Sequence, residues 1–86
     1  MRSIARFLAG LVVGISLAAA AVGLATFSDE SVAKRHCPAD TVVWLNLPTM
    51  IWHYKGQRWY GMTQHGAFAC EKEAAANGAR ATRNGQ

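Results

Sequence analysis

No charged residue lies between Phe7 and Phe27, a run of 21 residues preceded by Arg2 and Arg6. In a chain of 86 residues this run leaves about sixty for a folded domain, so one small domain is the most the chain can hold. A domain of that size buries only roughly 60% of the surface its unfolded chain exposes, and it needs a disulfide, a metal or a partner to be stable.

The run itself has the layout of an export signal: a positive start, an apolar stretch, then small residues. Two cleavage points fit, after Ala21 (Ala19-Ala20-Ala21) or after Ala25 (Gly23-Leu24-Ala25). Signal cores are usually about 7–15 residues long and about 20 suffice to span a bilayer, so the length also suits a retained anchor. Retained, it would keep its N-terminus in the cytoplasm by the positive-inside rule. Gly10, Gly14 and Ala18 would line one helix face and permit close packing in lipid, although an alanine- and glycine-rich stretch produces such spacing by chance. Richness in alanine and glycine rather than leucine favours cleavage. Residues 1–25 thus read as a signal peptide or transmembrane anchor, and either way the rest is expected outside the cytoplasm. The expected location is periplasmic or secreted, the alternative a single-pass inner-membrane protein with its C-terminal domain outside.

From Thr26 onward seven Lys/Arg face five Asp/Glu, a net charge of +2. That is too weak and too dispersed for a nucleic-acid face. Residues 26–36 read as a linker: Ser28–His36 is polar, mixed in charge and without an apolar stripe. Cys37-Pro38 opens the domain, since Pro38 biases the residue before it toward extended backbone.

Thr41–Gly61 holds all three tryptophans and both tyrosines. Thr41–Asn46 is rich in β-branched and aromatic residues and reads as a strand. Leu47-Pro48-Thr49 makes a turn and Met50–Tyr54 a second strand, with Met50, Trp52 and Tyr54 on one face. A turn at Lys55-Gly56-Gln57 brings back Arg58, Trp59 and Tyr60. An isolated hairpin is marginal in water, and burial of these rings is what can stabilise it. Ala67–Ala69 reads as short and extended, and Cys70–Asn77 as a helix of about two turns, with acidic residues at the favourable end and an Asn77-Gly78 stop. Residues 81–86 read as a flexible tail.

Several residues in fixed order carry a resemblance: Val43-Trp44-Leu45-Asn46, Tyr54 after His53, Gly56-x-Arg58-Trp59-Tyr60-Gly61, Gly66, Glu71-x-Glu73-Ala74 and Gly78-x-Arg80. Over Cys37–Gln86 the chain resembles a family of small exported bacterial proteins without an assigned function. More distantly, a His, a turn and a short Glu/Ala helix ending at Gly-x-Arg is similar to the small Ada-type metal-binding modules found at the ends of some nucleases. Those modules bind zinc through a cysteine shortly after the counterpart of His53 and a distal Cys-x-x-Cys. Here Gln57 and its neighbours stand in the first place and Arg80–Arg83 contains no cysteine. The resemblance implies the shape without the metal site.

Cys37 and Cys70 are the only cysteines, and an even count in an exported chain suggests a bridge. It would close a loop of about 34 residues and contribute about 3–4 kcal/mol on chain-entropy grounds. His36, Cys37, His53, His65 and Cys70 offer metal-binding atoms but no recognised spacing, so no metal is expected. His53 suits a half-buried strand position and His65 a turn. No nucleophile pairs with a base at a usable spacing, and a chain this short has little room for a substrate pocket, so neither catalytic residues nor a cofactor are expected. Arg58, Trp59 and Tyr60 form a possible binding surface of cation–π or stacking character; the plainer reading puts Trp59 and Tyr60 in the core under the stem of Arg58.

The expectation is an α+β domain over residues 37–80: a small antiparallel β-hairpin sheet of two or three strands with one short C-terminal helix, preceded by an apolar N-terminal helix. Functionally it is a non-enzymatic envelope protein that binds a partner, another protein at the envelope, or plays an accessory role, without contact to nucleic acid. The alternatives are a membrane-anchored small subunit of a larger membrane complex and, more weakly, a metal or nucleic-acid binding module.

Overall fold

The computed structural model describes residues 23–86. The expected N-terminal helix with its Gly10, Gly14 and Ala18 spacing, and the Ala19-Ala20-Ala21 cleavage motif, lie outside the described residues. Among the described residues no helix is long and apolar enough to cross a membrane.

The domain is α+β. In chain order it contains α1 (Glu30–His36), β1 (Val42–Asn46), β2 (Ile51–His53), β3 (Gly66–Cys70), α2 (Glu71–Ala76) and β4 (Arg80–Ala81). The strands form one four-stranded sheet in the order β3-β1-β2-β4. β1 pairs antiparallel with β2, Trp44 opposite His53, and with β3, Trp44 opposite Phe68. β2 pairs with β4 in parallel.

Three expectations are corrected. The sheet is mixed and four-stranded instead of an antiparallel hairpin of two or three strands, because Arg80 N–H donates to Met50 O and Thr82 N–H to Trp52 O, laying the chain after α2 along β2. The stretch read as a linker contains α1. Asp29 caps it, accepting from Ser31 N–H at 3.0 Å, and Lys34, Arg35 and His36 sit in its last turn where the helix dipole favours positive charge. The stretch read as a flexible tail is tied in: Trp59 N–H donates to Gln86 O at 3.0 Å.

Period two divides the sheet into two apolar faces. One carries Val43, Leu45, Trp52 and Ala69, joined by Ala74 of α2 and by Ala79, with Leu24, Met50, Tyr54 and Ala81 packed at its margin. The other carries Val42, Trp44, Phe68 and Cys70, covered by α1 through Ala33, which is fully buried. The sheet is therefore the middle of three layers.

The local chemistry explains the connections. Leu47–Met50 closes the β1–β2 hairpin with Met50 at φ 58 and its N–H on Asn46 O. Cys70 provides no side-chain cap for α2; instead Thr41 O accepts from Glu71 N–H and an Asp40 carboxylate oxygen accepts from Lys72 N–H. These bonds satisfy donors that a helix start leaves without internal partners. At the other end Gly78, φ 91, allows a Schellman closure. Ala79 N–H reaches Ala74 O, Gly78 N–H reaches Ala75 O, and Ala74 and Ala79 are both buried.

Candidate functional site

The two cysteines meet as expected. Cys37 and Cys70 form a disulfide between the end of α1 and the end of β3, with their Cα atoms 6.3 Å apart and a sequence separation of 33. Cys70 is fully buried. The bridge fastens α1 to the point where the sheet passes into α2.

Beside it, His36 Nε2 lies 2.9 Å from Glu73 Oε2, and with Cys70 Sγ these ligand atoms fall within 4.8 Å of one another. Glu73 escaped the sequence-based search for metal-ligating residues. Two signals together could have found it: Cys70 and Glu73 are three apart and share a helix face, and a Cys37–Cys70 bridge necessarily brings His36 to that face. The Cys70 sulfur is bonded to Cys37, so only an imidazole and a carboxylate remain as strong donors, short of the four that structural zinc takes. His53 is buried in β2 and His65 is exposed in a turn; neither joins this cluster.

Arg58, Trp59 and Tyr60 part company. Arg58 places its guanidinium 4.9 Å from the Trp59 ring centroid, and Trp59 stays 38% exposed. Its neighbour in the same turn, Met62, is 68% exposed. Trp59 is thus a surface residue stacked with Arg58, which corrects the core reading for that ring. Tyr60 turns inward: its ring lies 5.6 Å from Phe68, and its hydroxyl donates to Glu30 Oε2 at 2.7 Å. Burial pushes the Tyr60 phenol well above its ordinary range, and the Glu30 carboxylate adds to the rise. Glu30 is in turn held below the usual carboxylate range, first by Tyr60 and then by Lys55. Tyr54 makes the matching contact on the other face, donating to Glu71 Oε2 at 2.6 Å, and that bond raises its own pKa.

An open trough of about 780 Å³ runs beside α1, lined by residues that include Glu30, Lys34, Arg35, Asp40 and Lys55. Its polar groups are largely engaged in holding the fold. Lys34 Nζ donates to Asp40 O, and Lys55 pairs with Glu30 at 3.2 Å. Asp40 spends one carboxylate oxygen on Thr41 N–H and the other on Lys72 N–H.

These features define a disulfide-stapled α+β mini-domain whose conspicuous surface group is a stacked Arg–Trp pair. Comparison with family models, curated proteins and solved structures found no match.

Proposed function

We propose that the chain is an exported protein of the cell envelope, working as a non-enzymatic binding or accessory protein toward another protein there. The Cys37–Cys70 bridge, with Cys70 fully buried, carries this reading. Disulfides persist in oxidising compartments and are rare in the cytosol, and small exported domains rely on them where their cores are too small. The positive, apolar and small-residue layout of the first 25 residues supports the same compartment.

The side-chain bookkeeping favours binding over catalysis. Asp40 and Glu30, the carboxylates lining the trough, are committed to backbone donors, to Tyr60 and to Lys55. The exposed Trp59 under Arg58, with Met62 beside it, offers the apolar and cation–π character enriched in protein contact sites.

The test is fractionation of cells producing the full chain, with intact mass measured before and after reduction. The expected result is protein outside the cytoplasm, two hydrogens lighter in its native form than after reduction. Protein with free thiols in the cytosol would overturn the reading, and turnover of a substrate by the pure protein, abolished by His53→Ala, would overturn its non-enzymatic part.

A further inference from the structure

The charge-free run Phe7–Phe27 reaches the about 20 residues of a typical membrane anchor only when its last residues are included. The structure assigns its last residues elsewhere. Phe27 N–H donates to Phe68 O at 2.9 Å, and Phe68 N–H donates back to Phe27 O at 2.8 Å. This antiparallel bridge lies on the outer edge of β3, a strand whose other side pairs with β1. The Phe27 ring then lies 5.2 Å from His36 of α1, on one face of the sheet. Three residues earlier, Leu24 packs against the core cluster of Val43, Leu45 and Trp52 on the opposite face. Residues 24–27 thus wrap the β3 edge from one layer to the other, covering backbone groups that an open edge would expose.

We propose that the export signal is cut between Ala21 and Val22, so that the mature protein begins at Val22 and keeps Leu24–Phe27 as part of its fold; this rests on the export reading above. The step is hydrolysis by a signal peptidase. The Ala21–Val22 amide C–N bond breaks, water supplies the hydroxyl of the new Ala21 carboxyl group, and its proton goes to the new Val22 amine. Two independent observations select this bond over Ala25–Thr26. Cutting after Ala25 would remove Leu24 from the core margin and leave Phe27 one residue from a free end. Ala19-Ala20-Ala21 also matches the small-x-small cleavage pattern with alanine at both specified positions, whereas Gly23-Leu24-Ala25 has glycine at the first. The apolar stretch up to the chosen bond is also no longer than the about 7–15 residues of a signal core, below the about 20 of a spanning helix. The excess length of the run is the part that folds.

The experiment is to produce the full chain in a bacterium, isolate it from the periplasmic and membrane fractions, and read its N-terminus by intact mass and end sequencing. A start at Val22 is expected. A start at Thr26 in periplasmic protein overturns the proposal while leaving the export reading standing. A start at Met1 overturns it too, and the fraction then separates the causes: membrane-held protein means a retained anchor, and cytosolic protein means that export itself fails. A second readout uses Leu24→Ala in the full chain. If residue 24 is retained, the mature variant melts about 5–10 °C lower than the parent. Identical melting of the two mature proteins overturns the proposal, because a residue that has been cut away cannot alter stability.

Discussion

Reduction of Cys37–Cys70 should cost the domain most of its stability. The bridge links residues 33 apart, and restoring that loop freedom to the unfolded chain is worth about 3.5–4 kcal/mol at 25 °C. A domain of this length has only about 3–10 kcal/mol of net stability, at roughly 0.05–0.15 kcal/mol per residue. Each kcal/mol moves the midpoint of so small a domain by about 4–8 °C, so reduction should lower Tm by about 15–30 °C. Because Cys70 is fully buried, the protein should be reduced in denaturant and refolded with reductant present. Thermal melts followed by far-ultraviolet dichroism and by tryptophan fluorescence then compare the two forms. Cys37→Ala with Cys70→Ala should melt at or below the reduced form, since it also removes a packed sulfur from the sheet face. A fall in Tm of under about 5 °C on reduction would refute the argument, because the loop term alone exceeds that.

Gly66→Ala should lower the urea midpoint by an amount equivalent to about 1–3 kcal/mol. Its Cβ would fall inside the Trp44 indole, which is held in place by a 2.7 Å bond to Thr63 Oγ1 and an edge-on contact with Phe68; an unchanged midpoint would mean that Trp44 does not lie over residue 66. Ala33→Leu should cost about 1–3 kcal/mol by the same overpacking, because Ala33 is fully buried between α1 and the sheet; equilibrium urea unfolding measures it. The Tyr60–Glu30 pair should make stability fall at both ends of the pH scale. The Tyr60 phenol is raised in the folded state, so its contribution is complete below the unfolded value of about 10 and is lost as pH rises beyond it. Glu30 is lowered, so its contribution is present above about 4.3 and is lost as pH falls through its folded value. Urea midpoints taken across pH should show Tyr60→Phe flattening the alkaline limb and Glu30→Gln the acid one, and limbs unmoved by these substitutions would remove the pair from the account.

The parts of this fold legible in the sequence are those with local signals. β1 shows itself through Val42-Val43-Trp44, and the end of α2 through Asn77-Gly78, because a strand's side-chain types and a left-handed stop are decided within a few residues. Cys37–Cys70 follows from the even cysteine count together with the signal-like layout of the first 25 residues. α1 escaped because seven residues with one fully buried side chain, Ala33, produce no apolar stripe; its signals were an N-cap Asp29 and a basic last turn. β4 escaped because it is two residues long and its pairing with β2 is parallel and distant in sequence. At the candidate site, Arg58 beside Trp59 was legible as a pair, but which ring turns inward was not. Tyr60 is the ring that turns inward, half-buried, because Glu30 accepts from its hydroxyl, and Glu30 lay in the stretch read as a linker.

The position of the disulfide follows from how little the two helices bring to the core. Each contributes one buried residue, Ala33 from α1 and Ala74 from α2, while the large buried side chains come from the sheet. Alanine lets a helix lie close to a strand but offers little apolar area to hold it there. The helices are therefore held by ties at their ends. Each opens on a glutamate that accepts from a tyrosine, Glu30 from Tyr60 and Glu71 from Tyr54. His36 at the end of α1 reaches across to Glu73 of α2. Exposed ties of this kind contribute little individually, and helices of six and seven residues do not persist alone in water. A covalent link at Cys37–Cys70, where α1 ends and α2 begins, constrains both helices at once. A bridge between two strands would have left them to the hydrogen bonds.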